Sequence, residues 1–200
     1  MKKISVCLIS FLLIFHSSLF AYSSNPKNFI DELVKDAIIK LSDKNLTKDQ
    51  KASFVEKVAK ENVDINALGL YTLGELRKSS SQDEILKYQK SFTQYFLKSL
   101  TSRLTDYSSS KFEILGEDKK SANYTIINSK ISPNDGGPEI KVDWRVYTKN
   151  PEKPLIRDLI VEGLSLARTQ KEEFSSILNS NNNDIQELII QLDLFVSKNQ

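Results

Sequence analysis

Apolar residues recur with different periods along this chain, and the order of these periods limits the folds that it can adopt. Up to about residue 104 they recur every three or four positions, as on amphipathic helices. Between residues 111 and 166 they alternate with polar residues or form short apolar runs, as in strands. The helical spacing then returns. Helices, then strands, then helices is the order of an α+β protein.

Two capping boxes indicate where helices begin in the first half of the chain. Thr47 precedes Gln50, and Ser81 precedes Glu84, at the spacing that lets side chain and backbone cap each other. The helix after Ser81 is the longest, at roughly 38 Å, and its aromatic stripe indicates a core or a pocket wall. The helices expected here are 26–41, one that begins at Thr47, 64–76 and one that begins at Ser81.

The middle of the chain predicts a twisted antiparallel sheet of about four strands. The clearest strand is 140–147, where Val142 and Trp144 belong to an apolar face and Lys141 and Arg145 to a polar one. The other strands are expected at 111–116, 122–131 and 155–166, with a turn at 117–121. Two helices follow, one over 169–179 and one capped by Asp184, with an asparagine turn at 181–183.

The first 23 residues have the pattern of a secretory signal peptide. Lys2 and Lys3 precede an apolar run over 4–15, and a cleavage-site pattern follows at 21–23, with the small residues Ala21 and Ser23 on either side of a tyrosine. We therefore expect export and a single mature domain over 24–200. The only cysteine, histidine and methionine all lie in the leader, so thiol or imidazole catalysis, the usual zinc sites and other metal or cofactor sites are not expected.

Charge and the remaining acids narrow the function classes. Without Lys2 and Lys3, 26 basic residues balance 26 acidic ones, so binding to nucleic acid is not expected. A carboxylate base in an apolar pocket would make an isomerase-like enzyme possible. The candidate acids for that role are Glu113, Asp143, Asp158 and Glu162.

Three segments resemble the MlaC family, the periplasmic phospholipid-binding components of the Mla (toluene-tolerance) transport system. The first is Asp158-Leu-Ile-Val-Glu-Gly-Leu-Ser-Leu-Ala167, followed by Glu173-Phe174. The others are 184–192 and 73–80. The order of the predicted elements is also similar over the whole mature part. The resemblance implies a sheet packed by N-terminal and C-terminal helices around an apolar cavity that encloses acyl chains.

The resemblance also implies partners. They are a phospholipid ligand, an inner-membrane ABC transporter complex and an outer-membrane lipoprotein complex, between which a monomeric periplasmic protein carries lipid and maintains outer-membrane lipid asymmetry. Because the long helix is expected to cover the sheet, we expect the lipid to contact Phe92, Phe96, Tyr124, Ile126, Val142, Trp144, Val161, Gly163 and Leu164. The alternatives are the isomerase-like enzyme and a non-binding envelope adaptor with a filled core.

Overall fold

The computed structural model describes residues 22–105 and 110–199, so nearly all of the predicted signal peptide lies outside the described residues. Within these ranges the helices are α1 Pro26–Ser42, α2 Lys48–Asn62, α3 Ile65–Thr72, α4 Leu76–Ser79, α5 Gln82–Leu104, α6 Leu166–Ser180 and α7 Ile185–Lys198. The strands are β1 Ser110–Ser121, β2 Tyr124–Pro133, β3 Ile140–Tyr147, β4 Leu155–Val161 and β5 Leu164–Ser165. The α+β prediction is confirmed. No helix in the described ranges is long and apolar enough to cross a membrane.

Local capping chemistry begins the helices where the sequence predicts. The backbone N–H of Gln50 donates to Thr47 Oγ1 at 3.2 Å, and that of Glu84 to Ser81 Oγ at 3.3 Å, so both capping boxes are present. Asp184 caps α7 by accepting a hydrogen bond from the backbone N–H of Gln186 at 2.8 Å. Asn182 and Asn183 have φ values of 55° and 59°, which confirms the left-handed asparagine turn before α7.

The five strands form one antiparallel sheet in the order β1-β2-β3-β4-β5. The predicted turn at 117–121 is wrong, because these polar residues continue β1 and pair with β2 as far as Ser121 opposite Tyr124. An edge strand can be polar on both faces, which explains why the strand pattern is lost there. The predicted single strand 155–166 is also wrong: it is β4, a turn at Glu162 and Gly163, and the short β5.

Most of the buried apolar side chains form two groups. The first, which we call the sheet cluster, joins one face of the sheet to α1; its buried members are Phe29, Ile30, Leu33, Val34, Ile127, Val142, Trp144, Val146 and Ile156. The second, the helical cluster, is formed mainly by α3, α5, α6 and α7, with Ala59 of α2. Val63, which follows α2, packs against both clusters.

The long helix does not cover the sheet as expected. α1 packs against β1 and β2, whereas α5 packs mainly against α7, α2 and α3. The 3.6-residue stripe of α5 therefore serves a helical core. Amphipathic periodicity shows that a helix has a buried side, but it does not specify the partner, so the sequence could not distinguish these two arrangements.

Candidate functional site

The two predicted site residues on α5 lie in the helical cluster. Phe92 is 3% exposed, and its ring lies within 6.5 Å of the rings of Tyr88, Tyr95, Phe96 and Phe174, measured between centroids. Phe96 is partly buried at the side of the same group. Aromatic contacts of this kind stabilise a packed core, so α5 presents a filled aromatic wall.

Val142 and Trp144 lie in the sheet cluster, on the face that α1 covers. A buried polar contact accompanies them: Trp144 Nε1 donates to Ser129 Oγ at 2.9 Å, and Ser129 Oγ donates to the Val142 carbonyl at 2.7 Å. These two linked hydrogen bonds satisfy the indole N–H and the serine hydroxyl without water. The sequence analysis did not identify Ser129. The signal that could have found it is a polar residue at an inward-facing strand position, which indicates a buried hydrogen bond.

Tyr124 and Ile126 lie on the opposite face of the sheet. In register, Tyr124 is opposite Tyr147 and Ile126 is opposite Arg145, whereas Ile127 is opposite Trp144. Residues that are directly opposite share a face, so Tyr124 and Ile126 point away from the side of Val142 and Trp144. The structure therefore does not bring all of the predicted sheet residues together.

Arg157 connects the sheet to the start of α3. Its Nε and Nη2 atoms lie 2.8 and 2.7 Å from Asp64 Oδ2, and its Nη1 donates to the Tyr124 hydroxyl at 2.8 Å. The guanidinium carbon also lies 3.4 Å from the centroid of the Tyr147 ring. Asp64 in turn caps α3 through the Ala67 N–H. No local motif indicates this contact, because Asp64 and Arg157 are 93 residues apart.

Three predicted residues lie at the turn between β4 and β5. Val161 is half-buried and pairs with Leu164, which is 69% exposed. Between them Glu162 and Gly163 have φ values of 49° and 82°, as a two-residue hairpin turn with two left-handed positions requires. Leu164 is thus an exposed side chain at a tight turn.

All four candidate acids make structural contacts. Asp158, which is 3% exposed, accepts hydrogen bonds from Ser165 Oγ at 2.6 Å and from the Ala167 N–H at 3.0 Å. Glu162 accepts from the Lys141 N–H at 2.5 Å. Asp143 accepts from the Asn128 amide, and Glu113 forms an ion pair with Lys130. A general base needs a free oxygen that faces a substrate pocket, and these contacts instead fix strands and turns.

Burial raises the pKa of two tyrosines whose hydroxyls are hydrogen-bonded in or beside the helical cluster. The hydroxyls of Tyr88 and Thr72 lie 2.8 Å apart inside the helical cluster, and burial raises the pKa of the Tyr88 phenol. Burial likewise raises the pKa of Tyr95, whose hydroxyl donates to Gln170 at 3.0 Å. Both phenols therefore stay protonated and act as neutral hydrogen-bonding groups.

Two open recesses lie on the helical side of the molecule. The larger, about 600 Å³, runs along the polar side of α6 beside Tyr71, where Arg168, Lys171 and Glu172 line it. The smaller, about 310 Å³, lies where α5, α6 and α7 meet, next to Tyr95 and Phe195. None of the nine predicted lipid-contacting residues lines either recess.

The fold and the contacts define an α+β protein whose apolar interior is divided between a sheet cluster and a helical cluster. The profile of the MlaC protein family matches residues 31–193, which covers most of the chain, and the chain therefore belongs to the MlaC family. No curated protein sequence matches the chain significantly.

A solved structure shows the same fold. It is a phospholipid-binding protein from Ralstonia solanacearum, determined in complex with a phospholipid at 1.53 Å resolution. It superposes with a TM-score of 0.71 at 15% sequence identity, and the match covers 86% of this chain and 97% of the other. At this identity the likeness shows the fold.

Proposed function

We propose that this chain is a periplasmic phospholipid carrier without enzymatic activity, exported by its predicted signal peptide. The observation that carries the proposal is the MlaC family match, which extends from α1 to α7. The shared fold with a protein that was solved with a bound phospholipid supports the same ligand class. The structural contacts of the four candidate acids favour a carrier over the isomerase-like alternative.

The physics of carriage requires that acyl chains be enclosed. Two chains contain on the order of 30 methylenes, and each costs about 0.8 kcal/mol when it is exposed to water. The total is roughly 25 kcal/mol, so a protein that crosses an aqueous gap has to surround both chains. The head group needs no such shelter. The ligand-binding region therefore has to be apolar and internal.

The boundary between the two clusters is the place where acyl chains fit this requirement. Val63 contacts both clusters, so they meet near the end of α2. Partly buried apolar side chains flank each cluster, with Phe96 and Leu100 on the helical side and Ile140 and Leu159 on the sheet side. Separation of the clusters would line a chamber with apolar side chains on both walls.

This location assigns different roles to the predicted residues. Phe92 and Phe96 would belong to the helical wall, and Val142 and Trp144 to the sheet wall. Val161, Gly163 and Leu164 would lie at the end of the sheet wall. Tyr124 and Ile126, on the other face, would support the chamber without touching lipid.

Partners follow from the same proposal. A carrier receives and delivers lipid at membranes, and membership of the MlaC family supports an inner-membrane ABC transporter complex and an outer-membrane lipoprotein complex as the two stations. A monomeric carrier that exchanges lipid between them would contribute to outer-membrane lipid asymmetry.

Organic extraction of protein purified from its native compartment tests the proposal. Mass spectrometry should find about one phospholipid per chain, and the intact mass should show a chain that begins near residues 22–24. Both clusters are packed in this structure, which also suits the envelope adaptor. Protein that is always free of lipid would favour the adaptor, and turnover of a small substrate that is lost on mutating Asp158 or Glu162 would favour the enzyme.

A further inference from the structure

The loop between α1 and α2 contains Asn45-Leu46-Thr47, which has the Asn-x-Thr form of an acceptor motif for N-linked glycosylation. Modification at such a motif requires an exported chain and an accessible asparagine. The signal-peptide pattern predicts the first condition. The structure meets the second, because Asn45 is exposed in a turn.

The Asn45 side chain is available for modification in the folded protein. Its loop joins the end of α1 at Ser42 to the start of α2 at Lys48, and none of residues 43–47 belongs to the sheet cluster or the helical cluster. The backbone N–H of Asn45 donates to Asp43 Oδ1 at 2.8 Å, and the side-chain amide makes no hydrogen bond within the described residues. A bulky polar group on this amide would therefore extend into solvent and leave the core unchanged.

A second motif of the same form provides an internal comparison. Asn123-Tyr124-Thr125 begins at the β1–β2 turn, and Asn123 is exposed like Asn45. Thr125, however, is 3% exposed and pairs with Val146 of the sheet cluster, so the folded sheet hides the hydroxyl that completes this motif. Thr47 is exposed instead. Its hydroxyl accepts a hydrogen bond from the Gln50 N–H and can still donate its own proton to an enzyme.

An acidic residue also distinguishes the two motifs. Asp43 precedes Asn45 by two positions, which gives residues 43–47 the longer form Asp-x-Asn-x-Thr, whereas Ser121 stands at the same distance before Asn123. A carboxylate at this place can form a charge-assisted contact with a cation of the modifying enzyme. Accessibility and charge therefore both favour Asn45 over Asn123.

We infer that Asn45 is an N-glycosylation site, modified after export by an oligosaccharyltransferase that uses a polyprenyl-diphosphate-linked oligosaccharide. In this reaction the Asn45 Nδ2 atom attacks the anomeric carbon of the first sugar, and a C–N bond forms. The bond from that carbon to the diphosphate oxygen breaks, and the polyprenyl diphosphate leaves with the bonding electron pair. One Nδ2 proton passes to a base of the transferase. The inference rests on the export that the proposed function includes, and it does not depend on lipid carriage.

Mass spectrometry of protein purified from its native compartment tests the inference. Under denaturing conditions, which remove bound lipid, the wild type should be heavier than its mature chain by one oligosaccharide. Digestion before each aspartate releases residues 43–48 as one peptide, and this peptide should carry the added mass. Asn45→Gln should have only the calculated mass of its mature chain. Asn123→Gln is the matched control and should keep the oligosaccharide.

Substitutions at Thr47 separate the motif from the capping of α2. Thr47→Ser keeps the hydroxyl that both roles use, so this variant should stay modified. Thr47→Asp keeps a side chain that caps a helix but has no hydroxyl, so it should fold like the wild type, as circular dichroism reports, and lose the oligosaccharide. Asp43→Ala should lower the modified fraction several-fold, because the charged contact with the transferase is lost.

The inference is overturned if mature wild-type protein has no added mass, if Asn45→Gln keeps the addition, or if Asn123→Gln loses it. Equal modification of Asp43→Ala and wild type would overturn the role assigned to Asp43. A product that retains its leader would contradict the export on which the inference rests. Mature protein that carries the oligosaccharide but yields no phospholipid on extraction would support the inference while the proposed lipid carriage fails.

Discussion

Asp158 is a buried carboxylate that holds the end of the sheet to the start of α6. It accepts hydrogen bonds from Ser165 and Ala167, and Arg145 Nη1 lies 3.6 Å from its Oδ2 atom. Asp158→Ala leaves these donors without their partner in a buried place. We expect the free energy of unfolding to fall by about 2–4 kcal/mol, measured by urea denaturation.

Two further variants make this test specific. Asp158→Asn keeps an oxygen that can accept a hydrogen bond from the Ala167 N–H. Its free energy of unfolding should therefore fall by less than half as much as that of Asp158→Ala. Asp193→Ala removes an exposed carboxylate on α7 and should change stability by no more than about 0.5 kcal/mol. If Asp158→Ala is as stable as Asp193→Ala, the contacts of Asp158 do not hold the turn.

Tyr88 makes stability depend on pH in the alkaline range. In the unfolded chain a tyrosine loses its proton near pH 10, whereas burial raises the pKa of Tyr88 in the folded protein. Above pH 10 the unfolded state therefore binds fewer protons, and stability falls as pH rises, by up to about 1.4 kcal/mol per pH unit for one group. The stabilisation is fully present below pH 10. Urea denaturation at pH 9, 10 and 11 should show this decline.

Tyr88→Phe isolates the contribution of this phenol. The variant should be slightly less stable at pH 8, because Thr72 loses its hydroxyl partner, and its stability should decline less steeply above pH 10. Tyr71→Phe is the control, because Tyr71 is exposed; the pH dependence of its stability should be that of the wild type. An equally steep decline in Tyr88→Phe and wild type would contradict the assignment to Tyr88.

Among the elements, α3 and α5 approach each other closely at a glycine. A Cβ atom built on Gly69 would lie 2.9 Å from Cδ1 of Phe92, whose ring is fixed by its aromatic neighbours. Alanine favours a helix over glycine by up to about 1 kcal/mol, but overlap in a packed core costs about 1–3 kcal/mol. We expect Gly69→Ala to lower the free energy of unfolding by about 1 kcal/mol.

Gly116→Ala is the comparison for this prediction. A Cβ at Gly116 would lie 3.7 Å from Asn128 Oδ1, which is an ordinary contact. The free energy of unfolding of Gly116→Ala should therefore stay within about 0.5 kcal/mol of the wild-type value. Thermal denaturation followed by circular dichroism measures both. A Gly69→Ala variant that melts above the wild type would mean that α3 moves away from α5 at little cost.

The elements were predictable to the extent that their signals are local. Capping boxes at Thr47 and Ser81 and the alternation around Trp144 involve neighbouring residues, and all three predictions are confirmed. The end of β1 and the β4–β5 turn were not predictable. Strand pairing beyond Gly116 depends on β2, and the Glu162-Gly163 turn interrupts an apolar sequence that also suits a continuous strand.

For the whole molecule, the family resemblance proved more informative than residue periodicity. The resemblance to the MlaC family is confirmed over residues 31–193. The candidate site depends on strand register, which puts Ile127 and not Ile126 on the face of Trp144, and on which helix covers which face. Both are long-range properties, so the sequence identified apolar residues without specifying which of them share one wall. The lipid contacts stay a prediction for the seven residues other than Tyr124 and Ile126, which lie on the opposite face of the sheet.

The two clusters are joined by contacts that a lipid between them would strain. Val63 pairs with Ile156 as an isolated bridge, the Asp64 N–H donates to the Ile156 carbonyl at 2.9 Å, and Arg157 binds Asp64. If acyl chains separate the clusters, loading weakens the contact between Asp64 and Arg157. This contact then stabilises the lipid-free form more than the loaded form, and lipid affinity rises when it is removed.

Arg157→Gln tests this coupling through the melting temperatures of lipid-stripped and lipid-loaded protein. The free energy of unfolding of the stripped variant should be about 1–3 kcal/mol lower than that of the stripped wild type, because Asp64 and Tyr124 lose a charged partner. The loaded variant should lose less stability, so its melting temperature should rise more on loading than that of the wild type.

Lys60→Gln is the control, because it removes only an exposed ion pair with Glu56 within α2. It should lower the melting temperature slightly and equally in the stripped and loaded forms. Equal losses in the stripped and loaded forms of Arg157→Gln would show that the contact persists on loading, and that the acyl chains lie elsewhere than between the clusters.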